Sequence, residues 1–431
     1  MCSEAVAASP AILELLTGSE AHPRLHQDIS DVGHALRPTE EPPKGAEVMT
    51  RRHELDWLRV FLFALLVPHH VAVGFVDWGV DIYKFVNDRL AGDGLTLFIY
   101  WSHSWRLPSL FMIAGLGTWF LTARGIGIHV MGPRFLSLLA PLIFATAFIN
   151  VFGGYAIAKM TGTTTGLISF WWDWLTELEP RQVQHLWFLI NLTLYTLFLW
   201  PIFALRDQIA RAVPKPPLLL AALVIASAAS VVLLKPYEAA LTGDNYQFVL
   251  YLIFFLGGYL IGADHVQVLD WAKRQTWWLL ASAIILFIIK ATLLTLALTD
   301  DLDTGQALAE GGWVTQGLSP QNATVFSIVE AATAWFWCVA ALGLASRFLN
   351  RPGRLLPAFN RAVFPLYVLH FPLTLIGLAL AAQFSAPWWI EFFVLLIFVY
   401  IGSWILWRIF DHIGPAAFLV GGKPVKPTYD K

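Results

Sequence analysis

The chain has 431 residues, of which 57% are hydrophobic and only 13% are charged, and its formal net charge is −2. A soluble domain usually carries about 25% charged residues, so this composition excludes a soluble fold and predicts an all-α integral membrane protein. The two cysteines exclude a disulfide framework, and no spacing typical of a metal site occurs.

The first 50 residues differ in composition from the rest of the chain. They lack the basic start, apolar run and small-residue cleavage site of a signal peptide. They are rich in Pro, Glu, His and Ala, a composition typical of disordered segments. We therefore predict a disordered cytosolic tail over 1–50, a membrane domain over 51–413 and a short cytosolic tail over 414–431.

Apolar runs long enough to cross a bilayer occur throughout the membrane domain. A transmembrane helix needs about 20 mostly apolar residues. The pattern predicts a bundle of about ten such helices, at 55–75, 95–121, 135–158, 186–205, 217–235, 246–263, 277–298, 323–346, 363–383 and 386–410. The glycine pairs in "INVFGGYAIA" and "FLGGYLIGA" are expected to allow close helix packing.

Lys and Arg are distributed unequally between the two predicted sides of the membrane. With a cytosolic N-terminus, eighteen of them fall on the cytosolic side, including the ends of the helices there. Only five fall on the opposite side, namely Lys84, Arg89, Lys159, Arg181 and Lys235. Because cytosolic loops carry an excess of Lys and Arg, this distribution predicts that both termini are cytosolic.

Ionisable side chains inside the predicted spans are costly in hydrocarbon, so each is a candidate functional residue. Arg59 and His70 lie eleven positions apart on the first span, and eleven steps of about 100° return to within about 20° of the same face. His103 and Arg106 share a face of the second span, and His185 begins the fourth. We expect imidazole and guanidinium groups from three helices to meet in the outer half of the bilayer.

These residue types fit a transfer reaction across the membrane. A histidine can take a proton from a hydroxyl group and return one to a leaving group. We predict that role of general base for His70. The guanidinium of Arg59, at the cytosolic end of the same span, suits a phosphate group. The arrangement therefore suits a phosphorylated cytosolic donor and an acceptor on the far side.

Structural roles for the same residue types are the alternative. A histidine in a membrane helix is at least as often a hydrogen-bond link as a catalyst, and His69, on a different face from His70, is expected only to pack. His185 could anchor its helix at the interface, Arg134 could follow the positive-inside rule and Lys290 could extend to the interface. Most tryptophans are expected at interfaces, although Trp105 could border a sugar site.

Five stretches resemble motifs of the membrane-bound acyltransferase-3 family. In chain order they are "LDWLRVFLFALLVPHH", "HSWRLPSLFMIAG", "HLWFLINL", "LYVLHFPLTL" and "LVGGKPVKP". They extend from about residue 51 to the C-terminus, so the resemblance covers nearly all of the predicted spans. Within the family, the chain is more closely similar to members associated with succinylation of periplasmic glucans.

The resemblance implies a catalytic role for His70, with Arg59 as its partner. It also marks four further motif positions, His103, Arg106, His185 and His370. The family members under comparison carry two basic residues three positions apart before the proline of the third span. Here Arg134 is present, but Ser137 occupies the second of these positions. That departure weakens any detailed assignment of phosphate contacts on the cytosolic side.

We therefore predict a membrane O-acyltransferase of the bacterial inner (plasma) membrane. It would move an acyl group from a cytosolic acyl-CoA to a hydroxyl of a periplasmic or surface glycan. The predicted catalytic residues are His70, Arg59, His103 and Arg106. The predicted substrate-binding residues are Arg134, His185, His370 and Trp105.

The expected partners are lipid, the glycan and the acyl-CoA, with no nucleic acid, no metal and no permanently bound cofactor. The donor could be succinyl-CoA or acetyl-CoA, and Arg106 or Lys290 could contact a succinyl carboxylate. The oligomeric state is left open. The alternative function is a polytopic transporter or exporter, with the buried His and Arg residues forming a path for a solute or for protons.

Overall fold

The computed structural model describes residues 52–84, 87, 90–164, 166–177, 180–234, 245–300 and 320–422. The predicted N-terminal tail over 1–50 and residues 423–431 of the predicted C-terminal tail lie outside this part of the chain. The described residues form α-helices and one 3₁₀ segment, Pro180–Leu186, and no β-strand, which confirms the all-α prediction.

The α-helices follow one another with short connections through most of the described chain. In order they are α1 (His53–Ala64), α2 (Leu66–Val73), α3 (Gly79–Tyr83), α4 (Asp93–Thr122), α5 (Ile128–Phe148), α6 (Asn150–Met160), α7 (Leu167–Glu177), α8 (Trp187–Phe203), α9 (Arg206–Ala212), α10 (Pro216–Leu234), α11 (Asn245–Ala263), α12 (His265–Arg274), α13 (Thr276–Asp300), α14 (Pro320–Phe348), α15 (Leu356–Ala381), α16 (Trp388–His412) and α17 (Ala416–Leu419).

Length and composition allow eight helical segments of the described chain to cross a membrane, or nine when α11 and α12, bent by 99°, count as one span. Helix α4 is not among them, although its 30 residues would extend about 45 Å. Its centre carries Ser102, His103, Ser104 and Arg106, which lower its hydropathy. These eight or nine candidate spans do not confirm the predicted number of about ten. That number and the cytosolic location of both termini stay predictions.

The outer surface of the bundle is apolar, as the composition requires. On α16, Phe393, Ile397, Ile401, Ile405 and Ile409 recur at every fourth position and are all exposed. The opposite face of this helix packs against α15. A stripe of this kind along a whole helix is suited to contact with hydrocarbon rather than with water. This surface fits an integral membrane protein.

Helices α4 and α11 pack closely enough for backbone to meet backbone. A Cβ atom on Gly258 would overlap the carbonyl of Met112, and one on Gly262 would overlap the side chain of Trp119. The residue numbers increase together in these two contacts, from Met112 to Trp119 on α4 and from Gly258 to Gly262 on α11. The two helices therefore run parallel. This confirms the expected close packing at "FLGGYLIGA". Small residues permit such approach between membrane helices.

Two predicted spans are each divided into two helices, and five helices lie outside the predicted spans. The first span breaks at Leu65, between α1 and α2, and the third breaks at Ile149, between α5 and α6. Four of them, α3, α7, α9 and α12, occupy segments in which the sequence predicted only connections. At the other end, α17 packs with Ala417 and Val420 buried, so the segment predicted as a C-terminal tail begins with a folded turn.

We predict that Gly115→Ala disrupts this fold, whereas Gly117→Ala on the same helix does not. A Cβ on Gly115 would overlap the carbonyl of Phe255 on α11, but a Cβ on Gly117 meets no atom within 4 Å. Overpacking of this kind costs about 1–3 kcal/mol. Thermal unfolding in detergent should show a lower midpoint for Gly115→Ala only. Equal midpoints for the two variants would contradict the packing described here.

Candidate active site

Five histidines from four segments form a continuous row inside the bundle. Their ring centroids are separated by 6.1 Å from His103 to His69, 5.4 Å from His69 to His70, 5.1 Å from His70 to His370 and 5.0 Å from His370 to His185. We call these five residues the imidazole row. The structure thus brings together the four histidines that the sequence singled out.

His69 is the member of the imidazole row that the sequence interpretation missed. It was expected only to pack, but its ring lies between those of His70 and His103. Its Nδ1 lies 2.7 Å from the hydroxyl oxygen of Ser102, and that hydroxyl donates to the carbonyl of Ile99. Because the serine has one hydrogen to give, Nδ1 of His69 is the donor to Ser102. The adjacent pair in "PHH" was the available signal.

The histidine pair follows a local irregularity at the junction of α1 and α2. Pro68 has no N–H to give to the carbonyl of Ala64, four residues earlier. The hydroxyl of Tyr400 on α16 donates to that carbonyl instead, at 2.6 Å. The predicted shared face of Arg59 and His70 assumed an unbroken helix, and with a break at Leu65 it stays a prediction.

A single backbone carbonyl orients two members of the imidazole row. The carbonyl oxygen of Tyr367 lies 2.9 Å from Nε2 of His185 and 2.6 Å from Nδ1 of His370. A carbonyl only accepts, so each of these nitrogens carries the hydrogen. In the neutral rings the bare lone pairs are therefore on Nδ1 of His185 and Nε2 of His370. Both nitrogens are buried and without a hydrogen-bond partner among the described residues.

The turn that carries His185 is held in a strained conformation. Gln184 has φ 49° and ψ −130°, a combination that favours glycine. Nδ2 of Asn150 donates to the carbonyl of Gln182 at 3.0 Å, and the hydroxyl of Tyr367 donates to the carbonyl of His185 at 2.8 Å. These contacts from two other helices hold the turn against its strain and fix the imidazole.

Arg106 places a cation beside the imidazole row. Its side chain is buried, with 3% exposure, and it lies within electrostatic range of His69, His70, His103 and His370. Its Nε and Nη1 atoms are buried without a hydrogen-bond partner in the described part of the chain. A buried guanidinium needs hydrogen-bond acceptors, so this site is suited to an anion or to an oxygen that becomes negative during a reaction.

The other predicted site residues lie apart from the imidazole row or are packed. Arg59 makes no hydrogen bond to a described residue, and Nε of Arg134 donates to the hydroxyl of Thr196 at 3.2 Å. Trp105 is buried and stacks on Trp337 with 5.6 Å between ring centroids. The structure therefore assembles one polar centre from His70, His103, His185, His370 and Arg106, and none of these residues forms a hydrogen bond with Arg59 or Arg134.

Comparison with known families identifies the class of protein. Residues 52–408 match the acyltransferase-3 family model, described as an acyltransferase domain. The chain belongs to this family. This acyltransferase is 24% identical over 400 residues to glucans biosynthesis protein C of Shigella dysenteriae serotype 1 and of Escherichia coli strain K12. The alignments cover 87% of this chain and 95% of each relative. No solved structure matches it.

The family gives the buried polar centre a chemical context. A membrane acyltransferase needs a base for the acceptor and a group that stabilises a tetrahedral oxyanion. The imidazole row and Arg106 are residues of those two types. The same assignment favours an enzyme over the alternative of a transporter or exporter, for which the structure offers no separate support.

We predict that Tyr400→Phe lowers both stability and activity. Loss of the hydroxyl leaves the Ala64 carbonyl without its partner at the helix break, at a cost of about 1 kcal/mol. The histidines that follow the break should then be less well positioned. Thermal unfolding and acyl transfer can be compared with Tyr155→Phe, whose hydroxyl makes no recorded hydrogen bond to a described residue. Identical behaviour of the two variants would show that the Tyr400 contact is dispensable.

Proposed function

We propose that this acyltransferase moves an acyl group from a cytosolic acyl-CoA to a hydroxyl of a periplasmic or surface glycan. The enzyme would act in the bacterial inner membrane. The glycan acceptor is supported by the names of its relatives, and the donor by the family resemblance. One observation carries the proposal: Arg106, buried and without acceptors for two of its nitrogens, lies beside the imidazole row.

In this reaction, His70 is the general base. As a residue, His70 is less buried than His69 and His370, whose rings flank its ring on both sides. The imidazole takes the proton of the acceptor hydroxyl as the oxygen attacks the thioester carbonyl. The carbon–sulfur bond then breaks, and the imidazolium returns the proton to the departing thiolate. Alcohol and thioester become ester and thiol, with no other reactant.

Arg106 has the role of stabilising the tetrahedral oxyanion. Its unsatisfied N–H groups are preorganised, because burial keeps water from solvating them. A donor of this kind is worth about 10²–10³ in kcat when it points at the developing charge. His103 would then orient the row through His69, with which its ring is stacked at 6.1 Å.

The basic residues outside the row have the role of binding the donor. Arg59 and Arg134 would attract the CoA phosphates at the cytosolic end of the bundle. Arg134 uses Nε on Thr196, and its two terminal nitrogens make no recorded hydrogen bond to a described residue. The Ser137 hydroxyl donates to the carbonyl of Arg134 at 2.7 Å, which ties it to its own helix. Under this proposal, Arg134 alone would bind phosphate where the family members under comparison have two basic residues.

The two cations considered for a succinyl carboxylate differ in their surroundings. Nζ of Lys290 lies 3.2 Å from a carboxylate oxygen of Glu330, so its charge is already compensated. Arg106 has no such carboxylate contact among the described residues. Arg106 is therefore the better contact for a carboxylate on the acyl group, and both succinyl-CoA and acetyl-CoA remain candidate donors.

We predict that His70→Ala lowers the rate of glycan esterification to about 1% of wild type or less, because a positioned general base contributes about 10²–10⁴ in rate. Mass spectrometry of envelope glycans after induction, at matched protein levels, measures the rate. The mass added per ester identifies the acyl group. The control is His129→Ala, which removes an exposed histidine from α5. Undiminished esterification by His70→Ala would exclude His70 as the base.

We also predict that His370 acts on His70 through an acceptor nitrogen. Nδ1 of His70 and Nε2 of His370 are both buried without a recorded partner, and the two rings are 5.1 Å apart. Since Tyr367 fixes the hydrogen of His370 on Nδ1, the bare Nε2 can accept from Nδ1–H of His70. That leaves Nε2 of His70 as the base. His370 is then a positioning residue.

Two substitutions separate this role from packing. His370→Phe keeps a ring of similar size but removes the acceptor, and should lower kcat about tenfold to hundredfold with little change in the acyl-CoA KM. His370→Gln keeps an acceptor oxygen near the position of Nε2 and should recover much of that loss. If Gln is no better than Phe at equal thermal stability, His370 does not position the base through a hydrogen bond.

A further inference from the structure

A buried ion pair lies near the imidazole row and has no role in the reaction above. Lys290 on α13 is only 1% exposed, and its Nζ lies 3.2 Å from Glu330 Oε1 on α14. The same ammonium donates to the hydroxyl of Ser104 at 3.0 Å and lies 4.6 Å from the ring centroid of Tyr100. The side chain thus points into the protein. The sequence analysis allowed Lys290 to extend to the membrane interface instead, and it does not.

Burying charged groups in a membrane span costs free energy, so ion pairs there usually have a function. Helix α13 otherwise has an apolar outer face, on which Ile284, Ile285, Ile288 and Ile289 are all exposed. Charged groups inside spans usually face a cavity or a path for a substrate. The surroundings of the Glu330 carboxylate therefore decide what the pair does.

A small cavity of about 30 Å³ lies against this carboxylate, between α4, α11 and α14. Its polar lining is formed by Glu330, Ser104, His103, Gln247 and Tyr251. A volume of this size accepts one hydroxyl group with its carbon, or about two water molecules. It is too small for a sugar ring or for any part of CoA beyond a short chain.

The cavity adjoins the imidazole row. His103 lines it, and the ring of His103 stacks on that of His69. A ligand group in the cavity would therefore contact the end of the row that lies opposite His185. Because sugars carry several hydroxyls, one hydroxyl held here would fix the orientation of a ring whose other hydroxyls lie toward His70.

We propose that this cavity is a subsite for a non-reacting hydroxyl of the acceptor, with the Glu330 carboxylate as its hydrogen-bond acceptor. The inference rests on the proposed function, since it assumes an alcohol acceptor. A carboxylate has about four acceptor positions, and Nζ of Lys290 contacts one of its oxygens, Oε1. Carboxylate oxygens only accept hydrogen bonds, so the site favours a ligand group with an O–H to donate. The amide of Gln247 and the imidazole of His103 add hydrogen-bonding groups.

The alternative is a structural role, in which the ion pair only attaches α13 to the bundle. Under that alternative, a change at Glu330 would lower stability and all kinetic constants together. Under our proposal, it acts on the acceptor alone. Gln247→Leu is a second probe, because it removes a polar group from the cavity lining without disturbing the ion pair.

The test measures the KM for a short glucose oligosaccharide and for the acyl-CoA, with the full chain in proteoliposomes. We expect Glu330→Gln to raise the oligosaccharide KM about tenfold or more, and Gln247→Leu to raise it less, with an unchanged acyl-CoA KM. The control is Thr333→Val, one turn along α14, where a buried hydroxyl donates only to the Val329 carbonyl. An unchanged oligosaccharide KM in both cavity variants would overturn the subsite.

Direct binding separates failure of the subsite from failure of the proposed function. If wild type transfers no acyl group, the proposed function fails, and calorimetry with the same oligosaccharide still tests the subsite. Weaker binding by Glu330→Gln and Gln247→Leu than by Thr333→Val would support it. Equal binding by all three variants, or no binding by wild type, would overturn it.

Discussion

Hydrocarbon provides no hydrogen bonds, and this constraint determines where the polar side chains of the protein lie. Apolar residues such as Ile397 and Ile401 occupy the exposed face of α16, while His69, His185, His370 and other polar groups are buried. The histidines come from α2, α4, α15 and the 3₁₀ segment, far apart in sequence. They meet because the interior of the bundle is the place where each can find a partner.

Buried polar groups with hydrogen-bond partners have structural roles, whereas buried polar groups without partners are candidates for ligand binding. His69 donates to Ser102, and His185 and His370 both donate to the carbonyl of Tyr367. Two nitrogens of Arg106 have no described partner. Since most buried polar groups in native proteins are paired, unpaired ones next to one another indicate a site that a ligand completes. The strain at Gln184 points to the same region.

Much of the fold was predictable from hydropathy, because long apolar segments have few alternatives to a membrane helix. The predicted span at 246–263 and helix α11 at Asn245–Ala263 agree within a residue. The break at Leu65 was not predicted, because it depends on Pro68 together with Tyr400 of a distant helix. Five of the polar candidate residues lie together in the structure, namely His70, His103, His185, His370 and Arg106. His69 was missed because its role depends on Ser102, which packing alone brings within reach.

Histidine side chains explain how a polar centre can exist inside a membrane at moderate cost. In the proposed reaction, transfer of an acyl group between a thiol and an alcohol needs no net proton, so His70 alone would suffice as the base. An imidazole supplies hydrogen-bonding capacity and, in its neutral form, carries no net charge, which costs less in hydrocarbon than a carboxylate or an ammonium group would. One charge remains, the guanidinium of Arg106, and it has no described carboxylate beside it. In the proposed reaction, negative charge that develops on the substrate would resolve that imbalance, so binding energy would be directed to the transition state rather than to the resting site.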